Sequence, residues 1–164
     1  MIVSGRKPVM VLSVLLAVAV VLPTAADTVL VHVHGNTEAL SRDDAALQIT
    51  TAFEDGLMTP LFEHGHIVFN LMDDGEPLDV DTARTVGDAE GVDWVILVEI
   101  ELASDNGSTR AERVRYNVVS VSGDLASRDG SFVRTQLDPR RGESRMAAVE
   151  RVGRELADSV LNEI

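Results

Sequence analysis

From residue 27 onward, hydrophobic positions recur with two different periods. Between Asp27 and His34 they alternate, placing Val29, Val31 and Val33 on one face and Leu30, His32 and His34 on the other. That pattern predicts a strand, ended by Gly35-Asn36. Ser41 and Asp44 form an S-x-x-D start, in which a serine oxygen meets a free amide and an acid sits near the positive helix end. Beyond it, Ala45, Ile49, Ala52, Phe53 and Leu57 recur at steps of three and four and predict a helix packed along one side on a sheet. Gly56 and Pro60 weaken its end, because the proline ring meets the carbonyl four residues back. A kink at that point leaves Leu61 and Phe62 in a last turn that stops at Gly65.

His66 to Leu71 is short and strongly apolar, which predicts a central strand. The polar stretch Asp73 to Pro77 is a loop, and Val80, Ala83 and Val86 give a short helix closing near Gly91. Trp94 to Leu102 predicts a strand that is apolar on both faces at first, then carries Glu99 and Glu101 on one face as it runs towards water. Asp105-Asn106-Gly107-Ser108 marks a hairpin turn. The returning strand has Val114, Tyr116 and Val118 on one face, with Arg113, Arg115 and Asn117 on the other. After a turn at Ser122-Gly123-Asp124, a third antiparallel strand is expected from Ser131 to Leu137. Val149, Val152, Leu156, Val160 and Ile164 then form a helical stripe, with Arg145, Glu150, Arg151, Arg154 and Glu155 off it. Strand, helix, strand, helix, three strands and helix fold economically as a single α/β domain over residues 27–164. The expected core is a mixed sheet of about five strands with helices packed on it.

The first 26 residues follow another logic. Arg6-Lys7 precedes an apolar run from Val9 to Leu22, and Pro23 and the small residues Thr24-Ala25-Ala26 stand before Asp27. This is the layout of a cleavable secretory signal, with cleavage after Ala26. The run is about 14 residues long, against the roughly 20 of a bilayer-spanning helix, so an uncleaved anchor is the weaker alternative. The product is expected to be periplasmic or secreted, without stable membrane insertion. The chain has no cysteine, which excludes disulfides, thiolate chemistry and a lipid attached at a cysteine. Removing Arg6 and Lys7 takes the formal charge from −13 to −15, a balance unfavourable to nucleic acid and to anionic membranes.

Three phrases carry a family resemblance. A helix end feeds an apolar strand in Leu61-Phe62-Glu63-His64-Gly65 through Phe69; another helix closes on Gly91-Val92-Asp93-Trp94-Val95-Ile96; and a strand ends in the turn Val121-Ser122-Gly123. Together with the element order, the chain resembles, over roughly residues 28–164, the α/β domain shared by LpoB, CsgG and the amino-terminal domain of TolB. The resemblance implies an interaction module that binds envelope proteins, with no catalytic residues or cofactor. LpoB and CsgG are lipoproteins, whereas this chain has no cysteine to carry a lipid.

Candidate chemistry lies in two H-x-H pairs, His32/His34 and His64/His66. Period-two spacing sets both rings of a pair on one side of an extended segment, a geometry that suits zinc or copper if the two pairs converge, with Glu63 or Asp73 as an oxygen ligand. Metal binding is thus the alternative to a docking role. Asp43/Asp44, Asp73/Asp74 and Glu99/Glu101 invite an acid–base reading, but a general acid needs a buried environment that a helix cap, a polar loop and a solvated strand face do not provide. Ser104, Ser120, Ser122 and Ser131 lack a nucleophile elbow, and no glycine-rich phosphate loop is present. Arg113 and Arg115 are expected to oppose Glu99 and Glu101 across the hairpin, either as a cross-strand ion ladder or as a polar surface for an envelope partner.

Overall fold

A computed structural model of the protein describes residues 26–35, 44–71, 77–105, 108–123, 127–162 and 164. The signal segment, Ser41 with Asp43, the Asp73-Asp74 loop and the Asn106-Gly107 turn lie outside the described residues. The elements are β1 (Thr28–Gly35), α1 (Asp44–Glu63), β2 (Ile67–Asn70), α2 (Val80–Glu90), β3 (Trp94–Asp105), β4 (Ser108–Ser120), β5 (Arg128–Val133), α3 (Arg134–Leu137) and α4 (Arg145–Val160). They build one five-stranded mixed sheet in the order β2-β1-β3-β4-β5, with helices on both faces. β1 runs parallel to both β2 and β3, whereas β3, β4 and β5 form an antiparallel meander.

The expected central strand is at an edge. β1 and β3 are the apolar strands with partners on both sides, and β2 is a four-residue border whose Ile67 and Phe69 are each 51% exposed. The reason is topological. The chain steps outward from β1 to β2 and then back past β1 to β3, and two right-handed crossovers of opposite direction must lie on opposite faces. Apolar density alone does not reveal which strand that return leaves outside. Ile67 and Leu71 donate their amides to Asp27 and Val31 of the β1 side, so in a parallel ladder the amides and carbonyls of Val68 and Asn70 point away from the sheet.

Two cores result. On one face Val29, Val31, Val33, Ile96, Val98, Ile100, Val114 and Val118 meet Ile49, Phe53, Leu57 and Leu61 of α1 and Val149, Val152 and Leu156 of α4. On the other, Leu30, Val95, Leu97 and Val119 meet Ala83 of α2, with Leu78, Val80 and Val86 packed around them. The helix ends are finished by local chemistry. Asp79 Oδ1 accepts from Thr82 N at 2.7 Å, Ser144 Oγ accepts from Ala147 N at 3.1 Å, and Gly91 closes α2 at φ 69°.

One further expectation changes. The third meander strand stops at Val133, and residues 134–137 turn helical. Gln136 Oε1 accepts from Val133 N at 3.0 Å, and the turn directs Leu137 into the core, which strand continuation past Pro139 would not achieve. Helix α1 runs through Pro60 to Glu63, with Leu61 and Phe62 in its last turn as the sequence implies. Gly56 is there because α1 and α4 approach backbone to backbone. A methyl group on Gly56 would be driven into the Glu150 carbonyl, and one on Gly153 would lie 2.5 Å from Phe53 O.

Alanine is the better helix former by about 1 kcal/mol, but overpacking against a backbone that cannot rotate away costs about 1–3 kcal/mol and forces the helices apart. Gly56→Ala and Gly153→Ala are each expected to lower the urea midpoint of unfolding, followed by fluorescence of the single tryptophan, Trp94.

Candidate functional site

Helix α2 covers only one end of its sheet face. The same face continues along β3 and β4, where the register sets Leu97 opposite Asn117, Glu99 opposite Arg115, and Glu101 opposite Arg113. β5 extends these rows with Asp129 beside Asn117, Ser131 beside Arg115 and Val133 beside Arg113. The ladder expected from the alternation of charges is therefore present. Arg115 Nη1 donates to Glu99 Oε2 at 3.0 Å, Arg115 Nη2 also pairs with Glu101 Oε1, and Arg113 Nη1 lies 3.9 Å from Glu101 Oε2. The hydrogen bond to Glu99 and the two nearby carboxylates raise the Arg115 pKa above its ordinary value.

A bulge limits how far the ladder runs. Between Glu101 and Leu102 the register shifts, so that Arg113 opposes Glu101 while Ala111 opposes Leu102. Strict alternation from Val114 would direct Glu112 to the core face. The extra residue removes it from that position and gives the place to Ala111, which is buried with Leu102. Half-exposed ion pairs of this kind contribute little to stability, so the regularity of the ladder is not required by the fold.

The histidine pairs do not converge. β1 and β2 are neighbours, but Thr28 pairs with Ile67, so His66 falls level with Asp27 while His32 lies five positions along, about 17 Å at strand rise. His32 is buried, at 2% exposure, as is His34 at 7%, on the inner strand β1. The Nδ1 of His32 donates to Leu71 O at 3.4 Å, and its Nε2 has no hydrogen-bond partner among the described residues. His64 sits past the end of α1, donating from Nδ1 to Pro60 O at 2.8 Å. No group of three or more histidine, cysteine or acidic side chains is placed to hold a metal among the described residues. Ser120 and Ser122 share a hydrogen bond between their hydroxyls at 3.1 Å, while Ser104 and Ser131 are exposed.

One polar cluster had only a faint sequence signal, the four-residue step from Arg151 to Glu155. Arg151 Nε donates to Glu143 Oε1 at 3.1 Å, Nη1 to Glu155 Oε1 at 3.1 Å, and Nη2 to Gln136 O at 3.1 Å. Glu143 Oε2 in turn accepts from Arg140 N at 2.7 Å. That backbone hydrogen bond, followed by the one from Arg151, lowers the Glu143 pKa below its ordinary value. The guanidinium thus fastens the segment between α3 and α4 onto α4.

No protein-family model matches the chain, and no curated protein matches it. Among solved structures, the chain is similar to a PelC dodecamer from Paraburkholderia phytofirmans at 13% identity and a TM-score of 0.46, over 80% of this chain and 86% of that one. It is also similar to lipoprotein GNA1162 from Neisseria meningitidis at 13% identity and a TM-score of 0.37, over 84% of this chain and 96% of that one. No helix among the described residues is long and apolar enough to cross a membrane.

Because Glu143 titrates lower in the folded state, its stabilisation is present above the ordinary glutamate value of 4.5 and is lost as pH falls through the folded value. Glu143→Gln is therefore expected to be less stable than the parent at neutral pH, with the gap closing as pH falls below the ordinary glutamate value in chemical denaturation series. The separation of the histidine pairs gives a second expectation. Zinc or copper added to the mature domain should show no one-to-one saturation by calorimetry, and a His32→Ala/His64→Ala double variant should behave as the parent does.

Proposed function

We propose that the protein is a non-catalytic docking module of the cell envelope, exported by its amino-terminal signal and engaging another envelope protein through the bare end of its sheet. The observation that carries this reading is the unequal cover of the two sheet faces. One face is closed by α1 and α4, whereas α2 protects only the Leu30, Val95, Leu97 and Val119 end of the other. Among the described residues α2 leaves uncovered the part of β3, β4 and β5 that carries the partly exposed Glu99, Glu101, Arg113 and Arg115 and is bordered by the 45%-exposed Val133.

Alternating charges on a rigid sheet suit recognition better than stability. Each pair adds little to folding, yet a fixed pattern of both signs rejects partners with the wrong charge order and sets register with the right one. The resemblance to LpoB, CsgG and the amino-terminal domain of TolB supports the same class of role. The −15 charge of the mature chain accords with a protein partner and disfavours nucleic acid or an anionic bilayer.

The test is crosslinking capture from envelope extracts with three baits: the mature domain, an Arg113→Glu/Arg115→Glu variant, and an Asp88→Lys control on α2. The expected result is one discrete protein recovered with the parent and the control and lost with the double variant, whose circular dichroism stays native. Recovery that is equal with all three baits, or no discrete protein with any, overturns the docking assignment.

A further inference from the structure

At the rim of the α1/α4 core, β4, α3 and the start of α4 enclose a cleft of about 220 Å³. Three of the twelve arginines in residues 27–164 line it, Arg110, Arg134 and Arg145, in a chain that is otherwise strongly acidic. The buried Leu137 and Val149 line it as well, together with the acidic Asp138. This cleft is separate from the charge ladder, and the inference does not rest on the docking role.

The charges in it are unequally neutralised. Arg110 Nε pairs with Glu112 Oε1 at 2.6 Å. Arg134 is held only loosely, 3.8 Å from the same Glu112 oxygen and 3.9 Å from Asp138. Arg145 has no carboxylate within ion-pair range among the described residues; its Nη1 donates to Ser108 Oγ at 2.7 Å and to Thr109 O at 2.8 Å. Those two neutral oxygens fix the direction of the guanidinium without cancelling its charge. The first turn of α4, where an acid would be favoured by the helix dipole, contains Arg145 and no acid.

We propose that this cleft is a binding site for an organic carboxylate, held by Arg145 and Arg134 with its hydrocarbon part on Leu137 and Val149. A guanidinium matches a carboxylate with two parallel hydrogen bonds. Phosphate would satisfy the arginines equally, but it offers nothing to Leu137 and Val149. The volume corresponds to about seven waters of liquid, which suits a short acid or a single acidic side chain. The shared chemistry is a carboxylate on a short aliphatic stem, supplied either as a free small acid or by a peptide.

The experiment titrates the mature domain with glutarate, hexanoate, inorganic phosphate and a capped peptide containing one glutamate, following backbone amide shifts of residues 134–149. Saturation is expected with glutarate and hexanoate, with phosphate clearly weaker. The dissociation constant should rise about tenfold in Arg145→Gln and in Arg134→Gln, the loss of a charge-assisted hydrogen bond. Arg140→Gln, outside the cleft, should leave it unchanged. Tighter binding of the peptide than of hexanoate upholds the site and assigns its carboxylate to a protein, while binding of free acids alone upholds it and assigns a small molecule. No saturation of the parent protein at tens of millimolar, phosphate binding as tightly as hexanoate, or the same loss in Arg140→Gln as in Arg145→Gln overturns it.

Discussion

The closeness of α1 and α4 is the constraint on which the rest of the molecule depends. Gly56 and Gly153 let the two backbones meet without intervening side chains, so the pair lies over the sheet as one layer. Phe53 and Leu57 from one helix and Val152 and Leu156 from the other then reach the same rows of β1, β3 and β4. A wider separation would leave apolar side chains of one helix short of the sheet, because protein interiors tolerate little void. On the second face Gly87 of α2 has a similar use, since a methyl group there would lie 2.6 Å from Val121 and 2.8 Å from Val95.

Everything at the far rim follows from where α4 is held. With α4 fixed, Arg151 reaches Glu143 and the carbonyl of Gln136 and ties down the segment after the meander. Arg145 meanwhile stands over β4, bonded to Ser108 and Thr109. The arginine-lined cleft and the bare sheet surface are consequences of one asymmetry. Two tightly joined helices pack across one face, and among the described residues a single eleven-residue helix packs on only part of the other.

Much of this was legible in the sequence where a local signal decides the outcome. The alternation of Glu99 and Glu101 against Arg113 and Arg115, joined by a hairpin turn, predicts opposed charges, and the register delivers them. The helix stripes through Phe53 and Leu156 are equally direct, as is the order of elements. What the sequence did not yield depends on pairing at a distance. His66 to Leu71 has the apolarity of an inner strand, yet its neighbour count is set by the crossovers. His32 is hidden because β1, not β2, lies inside. Leu137 reads as a strand residue until Gln136 caps a turn, and Gly56 reads as a weak helix end because its reason, the carbonyl of Glu150, lies 94 residues away. The cleft has no motif at all, since its arginines come from three separate elements.

The outward amides of β2 have a bearing on how the protein behaves when crowded. An open sheet border is a template on which foreign strands can grow, and hydrophobic side chains beside it strengthen that tendency. Here the border offers the outward backbone groups of only Val68 and Asn70, so an added strand would gain very few hydrogen bonds. The shortness of β2 thus acts as a brake on templated fibril growth, and the high negative charge of every copy reinforces it at a distance. That second brake is released by salt, whereas the first is written into chain geometry and holds at any ionic strength.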